Sequence, residues 1–205
     1  MNFRQKCAPA ENGFMAIELL AVLAIILVLF CLYWGGPLTS GSRSKYAACA
    51  KNLEFIHTAM ATYAMDNNDR FPFVAKAKTS DAPLTLLIPK YTTQTASFIC
   101  PASGDRKLAE GASLAKKRIS YAYVMGLTRT NEPTQFIMSD EQIDTKAKAA
   151  GARVFSADGK SIGNNHGTDG GSLLFIDGSV QQIPPQTPSA LGLQGGTFLN
   201  PKPKR

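Results

Sequence analysis

Gly13-Phe14-Met15-Ala16-Ile17-Glu18-Leu19-Leu20, with the apolar run behind it, decides how this chain is read. From Phe14 to Trp34 there are 21 residues and one charge, Glu18. At about 1.5 Å per residue, a helix of that length spans a hydrocarbon core of roughly 30 Å. An ionised carboxylate near one end of such a segment is costly, so it calls for a partner and points to a function. Ahead of the run lies a short polar leader with Arg4 and Lys6, ending at Gly13.

Gly13-Phe14, then Ile17-Glu18-Leu19-Leu20 and Ala24-Ile25-Ile26, resemble the type IV prepilin and pseudopilin processing signal. Met15 and Ala16 stand where that family carries Thr and Leu. The resemblance implies that a prepilin peptidase cuts after Gly13 and that the new amino terminus at Phe14 is methylated. Glu18 would then be the glutamate that pairs with the terminal ammonium of a neighbouring subunit during assembly. Other apolar leaders fit less well. A cleaved secretory signal needs a small-residue site at the end of its core, and none follows Trp34. Phe30 precedes Cys31 where a lipoprotein site needs a small residue. A plain single-pass anchor needs neither Gly13 nor Glu18.

About 170 residues follow the run, enough for one domain with its own core. The formal net charge of +7 is spread along the chain, apart from Lys116-Lys117-Arg118 and a tail with Lys202, Lys204 and Arg205. A solvated basic surface accounts for this better than a nucleic-acid site. Of the four cysteines, Cys7 leaves with the leader and Cys31 lies in the apolar run. Cys49 and Cys100 remain, an even pair that in an oxidising compartment is a candidate disulfide. The leader's positive charges favour a cytoplasmic amino terminus, with the remainder across the bacterial inner membrane, periplasmic or extracellular in a fibre.

Gly35-Gly36-Pro37 should kink or break the helix, as in type IV pilins. Tyr46, Cys49, Leu53, Ile56, Met60 and Tyr63 then recur at spacings of three and four, one helical face, with Lys51, Glu54, Thr58 and Thr62 opposite. His57 flanks that face as a surface or half-buried residue. The helix should stop near Asp66-Asn67-Asn68-Asp69, and Pro72 turns the chain toward a sheet. Tyr63, Asp66-Asn67 and Arg70-Phe71-Pro72 also resemble the way type II secretion pseudopilins close this helix. One short amphipathic segment, Pro83 to Tyr91, precedes strands predicted at 97–100, 119–125, 134–138 and 152–156.

The clearest hairpin is Ser172 to Ile176, Asp177-Gly178, Ser179 to Ile183. Read as a two-residue type I′ turn, it places Phe175 opposite Val180 and Leu174 opposite Gln181. His166 among glycines, followed by an apolar strand ending in Asp177-Gly178, resembles the C-terminal signature of one bacterial prepilin-like family. That family usually has nine residues between the His and the Asp-Gly, whereas here Gly167 to Ile176 make ten. From Pro184 the tail is rich in Pro, Gly and Lys and reads as disordered.

His166, Asp169, Ser172 and Asp177 could be taken for a hydrolase or metal constellation, but the frames are missing. No Gly-x-Ser-x-Gly elbow, His-Glu-x-x-His or phosphate loop is present. Calcium is the one cofactor with a case, because oxygens of Asp158, Asp169 and Asp177 could converge and some pseudopilins bind calcium in this region. The spacing matches no calcium-loop motif.

The expected fold is α+β and pilin-like: a long N-terminal helix, membrane-spanning in its first half, packed on a small antiparallel β-sheet. Its parts are a leader at 1–13, an assembly helix at 14–34, a kink and outer helix at 35–70, a globular domain at 71–183 and a basic tail at 184–205. The expected function is a non-enzymatic subunit, a pseudopilin or minor pilin of a type II secretion-like or type IV pilus-like fibre. The resemblance implies as partners a prepilin peptidase, other pilin or pseudopilin subunits and the inner-membrane assembly platform; nucleic acid is not expected. The alternative is a membrane-anchored binding module that does not assemble.

Overall fold

The computed structural model describes residues 16–34, 40–154, 163, 165–167, 170–184 and 192–203. The chain divides into two compact units, residues 1–40 and 41–205. The first contains helix α1, Ala16–Trp34. Its described side chains are exposed all round, with Ile17 71%, Leu20 65% and Leu27 63% exposed.

The long N-terminal helix expected from the sequence, kinked or broken at Gly35-Gly36-Pro37, is not seen as one element. α1 is 19 residues, about 28 Å long, and ends before two glycines and a proline, the residues least able to propagate a helix. A separate helix, α2, covers Ser40–Asp66. Among the described residues no helix is long and apolar enough to cross a membrane. The membrane-spanning first half of the expected fold is corrected accordingly, and the α+β class holds only in the looser sense of helices with an antiparallel sheet.

In the second unit, α2 buries the predicted stripe. Cys49, Leu53 and Met60 are fully buried and Ile56 is 1% exposed, while Lys51, Glu54, Thr58 and Thr62 face outward. The helix stops where the polar run begins. Asn68 and Asp69 take positive φ, which short polar side chains tolerate, and the Asp69 N–H bonds back to the Ala64 carbonyl. Phe71 is then buried, and the Tyr123 hydroxyl donates to the Pro72 carbonyl at 2.8 Å.

The short helix α3, Asp81–Leu84, and a 3-10 turn at Thr85–Leu87 replace the amphipathic segment. Strands follow at β1, Tyr121–Met125; β2, Phe136–Asp140; β3, Lys148–Ala149; β4, Gly171–Phe175; β5, Val180–Ile183; and β6, Thr197–Leu199. They form one antiparallel sheet in the order β3-β6-β1-β2-β4-β5.

Four strand expectations change, the first being β1, which begins at Tyr121 and not at residue 119. Residues 97–100 are not a strand, because Thr95–Phe98 is a 3-10 turn that leads into the disulfide. β2 begins at Phe136, two residues after the expected start, and runs on to Asp140. Of 152–156, Arg153 makes only an isolated bridge to Gly192, and 155–156 lie outside the described residues.

The hairpin is present but shifted by one residue. Leu174 pairs with Val180 and Leu173 with Gln181, with Ile176-Asp177-Gly178 as a three-residue loop. Only Gly178 has positive φ, +87°, whereas a type I′ turn needs two such residues. A type I turn closed by glycine is the lower-strain solution, and the Asp177 carboxylate holds it by accepting from the Ser179 N–H and hydroxyl. Those two hydrogen bonds hold the Asp177 carboxyl below its ordinary pKa.

The tail is the largest departure. β6 lies between β3 and β1, with Phe198 and Leu199 fully buried. Asn200 extends the anchorage: its side chain accepts from the Gln142 N–H at 3.0 Å, and its carbonyl accepts from the Ser80 N–H at 3.0 Å. Phe198→Ala should therefore cost about 3–5 kcal/mol, the range for emptying a buried phenylalanine site. Urea unfolding of the full chain in detergent, followed by tyrosine near-UV circular dichroism, measures it. A change below about 0.5 kcal/mol would be the behaviour of a solvated tail.

Candidate functional site

The expected disulfide is formed. Cys49, on the apolar stripe of α2, is bonded to Cys100, with Cα atoms 5.3 Å apart. Around it is a buried polar cluster assembled from four separate segments. β2 ends in Asp140, fully buried at its last position. The loop before β4 brings in Asn165 and His166, both almost fully buried. α2 supplies Tyr46, whose ring stacks on the His166 imidazole at 3.9 Å with a 13° interplanar angle.

His166 Nε2 lies 3.5 Å from Cys100 Sγ and 3.5 Å from Asp140 Oδ2. The Asn165 amide donates to Asp140 Oδ1 at 3.0 Å and to the Ser120 carbonyl, and the Ser172 N–H donates to Asp140 Oδ2 at 2.7 Å. Burial raises the Asp140 carboxyl above the ordinary carboxylate range, against the opposing effect of its hydrogen bonds and His166. The loop reaches this position because Gly163, φ +80°, passes β2 at a distance no side chain allows. A Cβ there would stand 2.7 Å from the Glu141 carbonyl oxygen.

The other end of the signature meets α2 too. A Cβ on Gly178 would lie 2.9 Å from the His57 ring, and His57 Nε2 lies 2.9 Å from the Ile176 carbonyl oxygen. His166 and Asp177-Gly178 thus serve as two attachments to one helix, at Tyr46–Cys49 and at His57. Between them the Asn52 amide donates to the Ile99 carbonyl and the Tyr121 hydroxyl.

The hydrolase set does not come together in the described residues. Ser172 is buried in β4, and Asp177 is exposed and occupied by its own turn. The calcium candidates Asp158 and Asp169 lie outside the described residues, as do Gly13 and Phe14. Glu18 lies in the first turn of α1. Sequence reasoning missed Asp140 and Asn165. Asn165 was visible beside His166, but Asp140 reads as an ordinary strand terminator.

Of the basic segment, Arg118 is occupied, while Lys116 and Lys117 are exposed. Arg118 bonds Asp105 at 2.7 Å, pairs with Glu141 and donates to the Lys202 carbonyl; Lys202 Nζ lies 3.4 Å from Asp81. Near the disulfide is a groove of about 620 Å³, lined in part by Asn52, Ser97, Asp105, Lys107 and Glu110. Comparison with family models, characterised proteins and solved structures finds no match.

Gly178→Ala should destabilise the chain by about 1–3 kcal/mol, through a positive φ that alanine disfavours and a collision with His57. His57→Ala in the same chain should return part of that loss. Strict additivity in a double-mutant cycle, read by thermal or urea unfolding, would show that the ring contact carries none of it.

Proposed function

We propose that this chain is a structural, non-enzymatic subunit of a type II secretion-like or type IV pilus-like fibre, a pseudopilin or minor pilin processed by a prepilin peptidase after Gly13. The observation that carries this reading is α1. A helix that is apolar all round must be covered, and its large described side chains, Ile17, Leu20 and Leu27 among them, are exposed. Its one charge is Glu18, four residues beyond the amino terminus that cleavage would create at Phe14.

The same helix of neighbouring subunits is the cover that answers both features. Stacked α1 helices bury each other's apolar surface and bring Glu18 of one subunit to the Phe14 ammonium of the next. That ion pair would set the axial register and reject unprocessed chains, which lack the ammonium there. The partners are then the peptidase, other pilin or pseudopilin subunits and the assembly platform at the bacterial inner membrane. Residues 41–205 would lie on the oxidising side, where a disulfide persists.

A groove beside the disulfide, lined in part by Asp105, Lys107 and Glu110, favours a second reading, an anchored binding module that does not assemble. One experiment separates the two. Glu18→Ala should leave cleavage intact, with a methylated Phe14 terminus by mass spectrometry, while cross-linked oligomers in membranes fall at least several-fold. Gly13→Val should accumulate the precursor. Wild-type oligomers from Glu18→Ala would favour the binding module, and an intact Met1 terminus on the wild-type chain would refute processing.

A further inference from the structure

We propose that the Cys49–Cys100 bond closes a redox-gated zinc site: in the dithiol form Cys49, Cys100, His166 and Asp140 bind one Zn²⁺, and oxidation expels it. This stands apart from the assembly reading and uses none of its residues.

The donor atoms of these four buried side chains all lie within 4.8 Å of one another. Two thiolates, an imidazole and a carboxylate are a donor set suited to zinc and unsuited to calcium. With bonds of about 2.3 Å to sulfur and 2.0–2.1 Å to nitrogen or oxygen, tetrahedral zinc ligands stand roughly 3.3–3.8 Å apart. His166 Nε2 is already 3.5 Å from Cys100 Sγ and 3.5 Å from Asp140 Oδ2. Breaking the S–S bond frees Cys49 Sγ to take the remaining corner.

The surroundings suit bound ligands. Ring stacking on Tyr46 fixes the imidazole plane. Asn165 and Ser172 donate to the two oxygens of Asp140, and the Ala102 N–H points at Cys100 Sγ from 3.4 Å. Two thiolates and one carboxylate around Zn²⁺ leave one net negative charge, which these N–H donors face.

The chemistry balances in two steps. A dithiol reductant gives two electrons and two protons to the disulfide by thiol–disulfide exchange and becomes a disulfide itself. Zinc then replaces the two thiol protons, which are released to solvent. Reoxidation by a disulfide of higher potential reverses both steps. Zinc-bound thiolates would be protected until that exchange, so the site would hold the pair in register before the bond forms.

The test uses the full chain in detergent with Cys7→Ser and Cys31→Ser, so that only the pair remains. It is reduced with a phosphine and titrated with Zn²⁺ against a chromophoric chelator, then with Co²⁺. The reduced chain should bind one metal ion and release protons. Cobalt should show a sulfur-to-metal charge-transfer band and the intense visible bands of tetrahedral coordination. The oxidised chain should bind neither ion. Asp140→Asn and His166→Gln should each weaken binding on the order of tenfold or more, as loss of a ligand must if loss of its supporting partner already costs 10–100-fold. If the reduced chain loses its near-UV circular dichroism, zinc should restore it in the parent and not in the two variants. Equal affinity in reduced and oxidised chains, equal affinity in parent and both variants, or no recovery of a parent unfolded by reduction each overturns the proposal.

Discussion

The unit of residues 41–205 depends on burial of one face of α2. Leu53, Ile56 and Met60 each bring about 1.5–3 kcal/mol of apolar transfer to the core. That attraction has no preferred register along the helix axis. Register comes from side chains on and beside the stripe that have specific partners: Tyr46 on His166, Cys49 on Cys100, Asn52 on Ile99 and Tyr121, His57 on Ile176. A one-residue slip turns a helix by about 100° and would break all four together. The disulfide closes a loop of 51 residues, worth about 4 kcal/mol in the chain-entropy model, so it is the largest single fastener.

The polar clusters around this frame cost free energy unless every group is met. Arg118 is the clearest case. Its side chain is 19% exposed, and its partners Asp105 and Glu141 are 5% and 2% exposed. Such a buried ion pair adds little net stability over a well-packed apolar group, but removing one partner leaves an uncompensated charge. Its geometric effect is plainer. Arg118 also donates to the Lys202 carbonyl, so the chain leaving β6 is tied to the loop before β1. The positive charge of Arg118, which looks available in the sequence, is spent inside the fold.

What was legible followed from periodicity and elimination. The stripe from Cys49 to Met60 repeats over about three turns, and only Cys49 and Cys100 were left to pair, so helix and bridge could both be read. The strand at Tyr121–Met125 and the hairpin around Asp177-Gly178 were also visible. Their details were not, because Asp-Gly suits a two-residue and a three-residue loop almost equally. The contacts of His57 and Gln135 with the hairpin tip, which choose between them, are tertiary. β6 was missed for another reason. Thr197-Phe198-Leu199 is too short to show alternation, and it sits among glycines, prolines and lysines whose composition dominates any window. The site at Asp140 needed four segments that no local pattern connects.

The sheet edges bear on how the chain could assemble. β3 is two residues long, with Lys148 paired to Asp144, and β5 exposes Gln181 and Gln182. Short, polar edges are poor templates for another strand. Among the described residues, the sheet of this unit therefore offers little for edge-to-edge growth. α1 is the opposite case. It carries apolar side chains exposed on every side and one carboxylate in its first turn. Free energy for association is concentrated in that helix, because it holds the apolar area still to be removed from water.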